Sequence, residues 1–167
     1  MRILLVDAEK PVLEMLGRLC AREGHDITMT HTAGEALGQL RSHTFDLVLT
    51  DLQLPDLDGI ALVRRAKAMQ PEIMPIVITG QGGQTIEDAL VAGATDLLLK
   101  PLRAPELRAR LKLAEDSRRV VHQLKAQAKA LQSSTAEVID GLQRELQEAR
   151  QTVARLAEVV ARSDSTV

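Results

Sequence analysis

Short apolar runs alternate with helical patterns along the first two-thirds of the chain. Between the runs, apolar residues recur every three or four positions, as they do on one face of a helix. Runs this short, bounded by glycine, proline and polar residues, are typical of strands. The runs are Ile3–Val6, Ile27–Met29, Leu47–Leu49, Pro75–Ile78 and Leu97–Leu99. Strands that alternate with helices predict an α/β fold, a doubly wound, five-stranded parallel sheet with right-handed crossovers.

Polar side chains follow four of these five runs. Asp7 and Asp51 come after the first and third runs, Thr79 follows the fourth, and Lys100 follows the fifth. In open α/β sheets, ligands bind just outside the carboxyl ends of the strands. We therefore expect the two carboxylates, the hydroxyl and the ammonium group to lie in one pocket.

The chemistry of such a pocket follows from these residue types. The carboxylates of Asp7, Glu9 and Asp51 would repel one another, which favours a hard divalent cation such as Mg²⁺. The cation would neutralise one carboxylate enough for its oxygen to attack a phosphoryl group. Lys100 would stabilise charge on the phosphoryl oxygens, and Thr79 would donate a hydrogen bond. An aspartate alone at a strand end could simply cap a helix, but such residues at four of the five strand ends favour phosphoryl chemistry.

These strand ends resemble those of the receiver domain of two-component response regulators, a flavodoxin-like fold, over roughly residues 1–115. The resemblance implies that Asp51 is the phosphoacceptor, served by a sensor histidine kinase or a phosphotransfer protein. It also implies that Asp7 and the backbone carbonyl of Gln53 bind Mg²⁺ with Asp51, and that Thr79 and Lys100 are the family's hydroxyl and lysine. The Lys100–Pro101 peptide bond is then expected to be cis. Such a protein is not an enzyme, although it assists its own phosphorylation and dephosphorylation.

Two positions depart from the receiver pattern. Ala8 stands where receivers usually have a second acid that binds the metal directly, and Glu9 is the candidate substitute ligand. Leu97 stands where receivers usually have an aromatic switch residue, so a signal would travel by aliphatic repacking or loop motion instead. Ala8 also keeps a second interpretation open, a non-phosphorylated pseudo-receiver that acts as a dimerisation scaffold.

From Ala104 onward the pattern is purely helical, and glycine and proline almost vanish. Apolar or small residues recur at steps of three and four from Leu107 to Val160, with one stutter between Leu142 and Leu146. Such a seam predicts a coiled coil, and its partner is predicted to be a second copy of the chain in a parallel homodimer. The alternative is that the stripe folds back onto the receiver.

The tail is predicted to form two helical segments. The first, 104–131, continues the last receiver helix, and the second covers 135–162 because Ser134–Glu137 has the form of a capping box. One continuous helix remains the alternative. The C-terminal sequence is similar to what precedes the ATPase domain of enhancer-binding transcription activators, and to the first helix of HD-GYP phosphodiesterases. A third interpretation is therefore an N-terminal fragment of a larger regulator, whose output domain is absent from these residues.

Composition narrows the classes of partner. The formal net charge of −2 gives no general attraction to nucleic acid or anionic membrane, so direct DNA binding by this chain is not expected. The single cysteine, Cys20, excludes an internal disulfide and is predicted to be a packed thiol. No apolar run approaches membrane-spanning length. We therefore predict a cytoplasmic protein that does not enter a membrane.

Overall fold

Strands and helices alternate along the chain in the computed structural model, which describes residues 1–80 and 84–164. The strands are β1 (Arg2–Val6), β2 (Asp26–Thr30), β3 (Leu47–Asp51), β4 (Met74–Thr79) and β5 (Asp96–Leu99). The helices are α1 (Lys10–Arg22), α2 (Ala33–Ser42), α3 (Gly59–Met69), α4 (Gln84–Val91) and α5 (Ala104–Asp164). Each predicted strand is present, with slightly different ends.

All five strands pair in one parallel sheet, in the order β2-β1-β3-β4-β5. The chain steps to one side of β1 to form β2 and then crosses to the other side for β3. The register keeps the strand ends level, because Val6 lies opposite both Thr30 and Thr50, and Asp51 lies opposite Ile78. The predicted doubly wound sheet is therefore confirmed, and its switch point lies between β1 and β3, where ligands bind in folds of this type.

Local sequence determines where three helices begin. Pro11 lies in the first turn of α1, where its fixed backbone angle suits the helix. The side chain of Thr32 accepts a hydrogen bond of 3.1 Å from the Glu35 N–H at the start of α2. Asp58 accepts one of 3.1 Å from the Ile60 N–H at the start of α3. Because such caps satisfy N–H groups that have no partner inside the helix, they fix the length of each strand-to-helix connection.

The core has two layers, one on each face of the sheet. Ile3 and Leu5 pack with α1 and α5, whereas Leu4 and Val6 pack with α2 and α3. Successive side chains of a strand point to opposite faces, so a strand buried on both faces must be a continuous apolar run. Cys20 is completely buried in the first layer, and burial raises the pKa of its thiol to about 11.

The tail is one helix and not two, because α5 is continuous from Ala104 to Asp164. The hydroxyl of Ser133 donates to the carbonyl of Lys129 at 3.1 Å, and that of Thr135 donates to Leu131 at 2.8 Å. The hydroxyls on both sides of the predicted cap, Ser134, thus bond back to the preceding turn of one continuous helix. The contacts divide the chain into a first unit, Met1–Ser117, and a second that starts at Arg118.

The predicted seam is wrong over its first three positions. Leu107, Leu111 and Ala114 are only 1%, 2% and 7% exposed, because they belong to the core layer that contains α1. The large seam residues further along α5 are at least 45% exposed, and they are Val121, Leu124, Leu131, Val138, Leu142, Leu146 and Val153. The side chains of Leu156 and Val160 lie outside the described part of the chain. The stripe available to a partner therefore begins after Ala114.

None of the helices in the described ranges combines the length and the apolar character that crossing a bilayer requires. The predicted cellular location stays a prediction.

Candidate functional site

The carboxyl edge of the sheet holds an open cavity of about 500 Å³. Asp51 ends β3, Thr79 ends β4 and Lys100 directly follows β5, so parallel pairing brings all three to this edge. The lining residues are Asp51, Leu52, Gln53, Asp58, Ile60, Thr79, Gly80, Asp88 and Lys100. Four residues predicted from the sequence, Asp51, Gln53, Thr79 and Lys100, therefore line one cavity.

Asp51 and Lys100 are in direct polar contact. The Nζ of Lys100 donates a hydrogen bond to the Oδ2 of Asp51 at 2.7 Å, and their side chains are 31% and 10% exposed. Burial alone would lower the pKa of Lys100, but the hydrogen bond and the negative charge of Asp51, aided by the charges of Asp7 and Glu9, raise it. Lys100 is therefore protonated at neutral pH, and its positive charge lies partly buried beside the carboxylate of Asp51.

Asp7 is completely buried next to this pair. Its Oδ1 accepts a hydrogen bond of 2.8 Å from the Glu9 N–H, whereas its Oδ2 has no hydrogen-bond partner among the described residues. Burial raises the pKa of Asp7, and the charges of Asp51 and Glu9 add to this, while the Glu9 hydrogen bond and Lys100 oppose it. A buried carboxylate oxygen without a partner is costly, so a cation at this position would satisfy it.

Fewer carboxylates are available to such a cation than the cluster of Asp7, Glu9 and Asp51 predicted from the sequence. Ala8 and Glu9 are exposed, and among the side chains that the structure describes no three acidic, histidine or cysteine groups lie close enough together to hold a metal ion. Asp7 and Asp51 remain as a carboxylate pair, with Gln53 on the cavity wall. Oxygen ligands of this kind suit Mg²⁺, which usually keeps several water molecules and needs only one or two carboxylates. The role of Glu9 as a ligand stays a prediction.

Gly59, the first residue of α3, lies against the strand end that carries Asp51. Its N–H donates to the carbonyl of Leu52 at 2.9 Å. A Cβ at this position would lie 2.8 Å from the Cα of Leu52 and nearer still to the carbonyl oxygen of Asp51. In the sequence, Pro55 and Gly59 together indicate only a tight turn. The signal that could have shown more is its place directly after Asp58, the helix cap, since a glycine there allows close approach of two backbone segments.

Leu97 lies in an aliphatic environment. It pairs with Val77 of β4 and is half-buried against a cluster that includes Leu52 and Ala89. No aromatic side chain belongs to this cluster in the described part of the chain, which agrees with the departure noted from the sequence. The Lys100–Pro101 peptide bond is cis, as the receiver resemblance implies.

Comparison with known proteins gives the receiver family that the strand ends resemble, over nearly the same residues. The family model described as the response regulator receiver domain matches residues 3–112 of this chain. The transcriptional regulatory protein ZraR of Escherichia coli K12 is 35% identical over 113 residues, which make up 67% of this chain and 26% of ZraR. The alginate biosynthesis transcriptional regulatory protein AlgB of Pseudomonas aeruginosa is 30% identical over 167 residues, 99% of this chain and 36% of AlgB.

A solved structure agrees with this result. The CheY-like response regulator receiver domain protein from Methanospirillum hungatei JF-1 is similar with a TM-score of 0.67 and 31% identity, over 70% of this chain and 94% of that one. The chain belongs to the response regulator receiver family. It is homologous to transcriptional regulators such as ZraR and AlgB, but it spans only 26% and 36% of their lengths.

Proposed function

We propose that Asp51 accepts a phosphoryl group from the phosphohistidine of a sensor kinase or a phosphotransfer protein. The observation that carries this proposal is the contact of 2.7 Å between Lys100 and Asp51 at the wall of an open cavity. The buried, unpartnered Oδ2 of Asp7 supports it, because a bound cation would satisfy that oxygen. The chain itself acts as a phosphoacceptor that assists the transfer, and not as an enzyme with turnover.

Asp7, Asp51 and the backbone carbonyl of Gln53 would hold Mg²⁺, which supplies positive charge that reduces repulsion between the carboxylates and the phosphoryl group. One carboxylate oxygen of Asp51 attacks the phosphorus atom, and the bond from phosphorus to the donor's imidazole nitrogen breaks. The donor keeps the electron pair of that bond and takes up a proton from water. Lys100 exchanges its partner Asp51 for a phosphoryl oxygen, and the Thr79 hydroxyl donates a hydrogen bond to another.

Intact-mass spectrometry with a small phosphodonor, such as acetyl phosphate, and Mg²⁺ tests this proposal. The wild-type chain should gain the mass of one phosphoryl group, and Asp51→Asn should gain none, because an amide oxygen is too weak a nucleophile. Lys100→Ala serves as the matched variant that keeps the nucleophile but removes the cation beside it, and it should be labelled more slowly. Equal labelling of wild type and Asp51→Asn would refute the assignment of the phosphoacceptor.

The second candidate function is a pseudo-receiver that is not phosphorylated. Ala8 favours it, because it supplies no ligand where receivers usually have an acid, and so does the lack of a three-acid cluster in the described ranges. A wild-type chain that is folded but unlabelled in the experiment above, and that binds no Mg²⁺, would support this function over phosphoryl transfer.

The signal would leave the receiver through α5. Exposed apolar residues from Val121 to Val153 form a seam, and a helix with such a seam is stabilised when a second copy covers it. The likeness to AlgB extends over this tail as well. We propose a parallel homodimer, which a Val153→Cys variant tests by disulfide cross-linking. Cys20 is completely buried, so the wild-type chain is the matched control and should not cross-link. A chain that sediments as a monomer would refute the pairing.

The output of the relay is proposed from the relatives alone. ZraR and AlgB are transcriptional regulatory proteins, and this chain corresponds to a part of each. We propose that the receiver and its helical tail control transcription through an output domain, and that this chain does not contact DNA itself.

A further inference from the structure

The first turn of α2 has its backbone N–H groups satisfied from two sources. The side chain of Thr32 accepts from the Glu35 N–H, and the carboxylate of Glu35 accepts from the His31 N–H at 2.8 Å. This pair differs from a capping box by one residue, because Glu35 accepts from the N–H of His31 and not from that of the N-cap, Thr32. It leaves the N–H groups of Ala33 and Gly34, which no residue of the helix can satisfy.

Asp56 provides the two missing acceptors, although it belongs to a different part of the chain. Its Oδ1 accepts from the Ala33 N–H at 3.0 Å, and its Oδ2 accepts from the Gly34 N–H at 2.7 Å. A Cβ at Gly34 would lie 3.1 Å from that Oδ2, so the glycine leaves room for the carboxylate. The Gly34 hydrogen bond is also the main reason why the pKa of Asp56 is lowered, which keeps this side chain charged at neutral pH.

The contact joins two segments on either side of β1. Asp56 lies in the connection between β3 and α3, three residues after Gln53, whereas α2 follows β2. In the strand order β2-β1-β3, these two segments flank the end of β1, where Asp7 lies. The N–H of Asp7 in turn donates to the carbonyl of Thr30, the last residue of β2, at 3.3 Å. Asp56 on one side of Asp7 is therefore bonded to the start of α2, and Asp7 itself is bonded to the end of β2, the strand that precedes α2.

We propose that Asp56 is a positioning residue for the Mg²⁺ site: its two hydrogen bonds to α2 hold the β3–α3 connection, and with it the carbonyl of Gln53, in place relative to Asp7. This inference rests on the proposed function, because it assumes that Gln53 and Asp7 share a cation. Asp56 itself touches neither the cation nor the phosphoryl group. Residues that orient metal ligands without binding the metal commonly change affinity by tenfold or more when they are replaced.

Direct Mg²⁺ binding to the full chain, followed by the NMR shifts of the backbone amides near Gln53, tests this role without any phosphodonor. Asp56→Ala removes both hydrogen bonds and should raise the dissociation constant about tenfold. Asp56→Asn keeps one acceptor oxygen and should raise it less. The matched control is Glu35→Ala, which weakens the cap of the same helix but leaves the β3–α3 connection tied, and it should change the constant less than about twofold.

Two results would overturn the inference: an unchanged constant in Asp56→Ala, or an equal increase in Glu35→Ala, which would indicate a general effect of a weakened helix. If Asp56→Ala does not fold, Asp56→Asn decides between these outcomes. A wild-type chain that binds no Mg²⁺ would also overturn it. A wild-type chain that binds Mg²⁺ but accepts no phosphoryl group would refute the proposed function alone, and the comparison of dissociation constants would still stand.

Discussion

The replacement of Leu111 by alanine tests whether the start of α5 belongs to the receiver core or to a coiled coil. Leu111 is 2% exposed and lies in the core layer with Leu13 and Ile78. If that position is correct, the substitution leaves a cavity inside a folded receiver. If instead Leu111 belonged to a dimer seam, the substitution would weaken association and leave the stability of the isolated receiver unchanged.

The expected size of the effect follows from the burial. A buried Leu→Ala change removes apolar contacts and leaves a cavity, which together cost about 3 kcal/mol of the free energy of unfolding. With a urea dependence of about 2 kcal/mol per molar for a domain of this size, the midpoint of unfolding should fall by about 1.5 M. Leu113→Ala is the matched control, because Leu113 lies two residues away in the same helix and is 57% exposed. Its effect should stay within about 0.5 kcal/mol.

Both substitutions are best measured in a chain that ends at Ser117, the end of the first unit. This fragment lacks the exposed seam, so its unfolding should not depend on protein concentration. The chain has no tryptophan and no tyrosine, and circular dichroism is therefore the appropriate probe. A loss below about 1 kcal/mol for Leu111→Ala, or equal losses for both variants, would refute the assignment of Leu111 to the core.

Three further predictions concern the acidic site. Gly59→Ala should lower the free energy of unfolding by about 2 kcal/mol, because the new Cβ would overlap the backbone of Asp51, and a neutral result in urea unfolding would contradict the close approach. Ala8→Asp should lower the Mg²⁺ concentration that half-saturates labelling, because it adds a carboxylate ligand; an unchanged concentration would indicate that Glu9 already serves. Asp7→Asn should stabilise the Mg²⁺-free protein at neutral pH, because burial raises the pKa of Asp7 in the folded state and its ionised form therefore opposes folding. This gain should shrink as the pH falls through the raised pKa towards 3.8, where both states take up the proton, and a gain that persists at acidic pH in urea unfolding would argue against it.

The sheet could be predicted from the sequence because its strands are buried on both faces. Leu4 and Leu5 point to opposite core layers and are both completely buried, so the strand appears as an unbroken apolar run. The polar residues at the strand ends were equally informative, since parallel pairing brings all carboxyl ends to one edge. For this reason Asp51 and Lys100, 49 residues apart in the chain, could be placed together in advance.

The tail was harder to predict, because the same spacing of apolar residues serves two purposes. Leu107 and Leu111 recur at a step of four, which suits a coiled coil and a helix packed on a sheet equally well. Only the folded structure distinguishes these roles, by the burial of both side chains. The capping box predicted at Ser134–Glu137 is absent for a related reason, since a hydroxyl in such a segment, as at Thr135, can bond back to the carbonyl four residues earlier.

The contact of Asp56 with Gly34 had no signal in the sequence at all. The two residues are 22 positions apart and lie in different strand-to-helix connections. An aspartate between a proline and a glycine normally indicates only a turn. Contacts of this kind depend on the relative placement of two helices, and no local pattern encodes that placement.

The lack of space at Gly59 has a consequence for how such sites are lost during evolution. Every other amino acid carries a Cβ, so each substitution there pushes against the backbone of Asp51. A gene could therefore keep the codons for Asp7, Asp51, Thr79 and Lys100 and still lose a working site through one base change elsewhere. A survey that recognises active receivers by their acids, hydroxyl and lysine alone would count such a chain as intact. Inspecting the residue that begins α3 would separate the two cases.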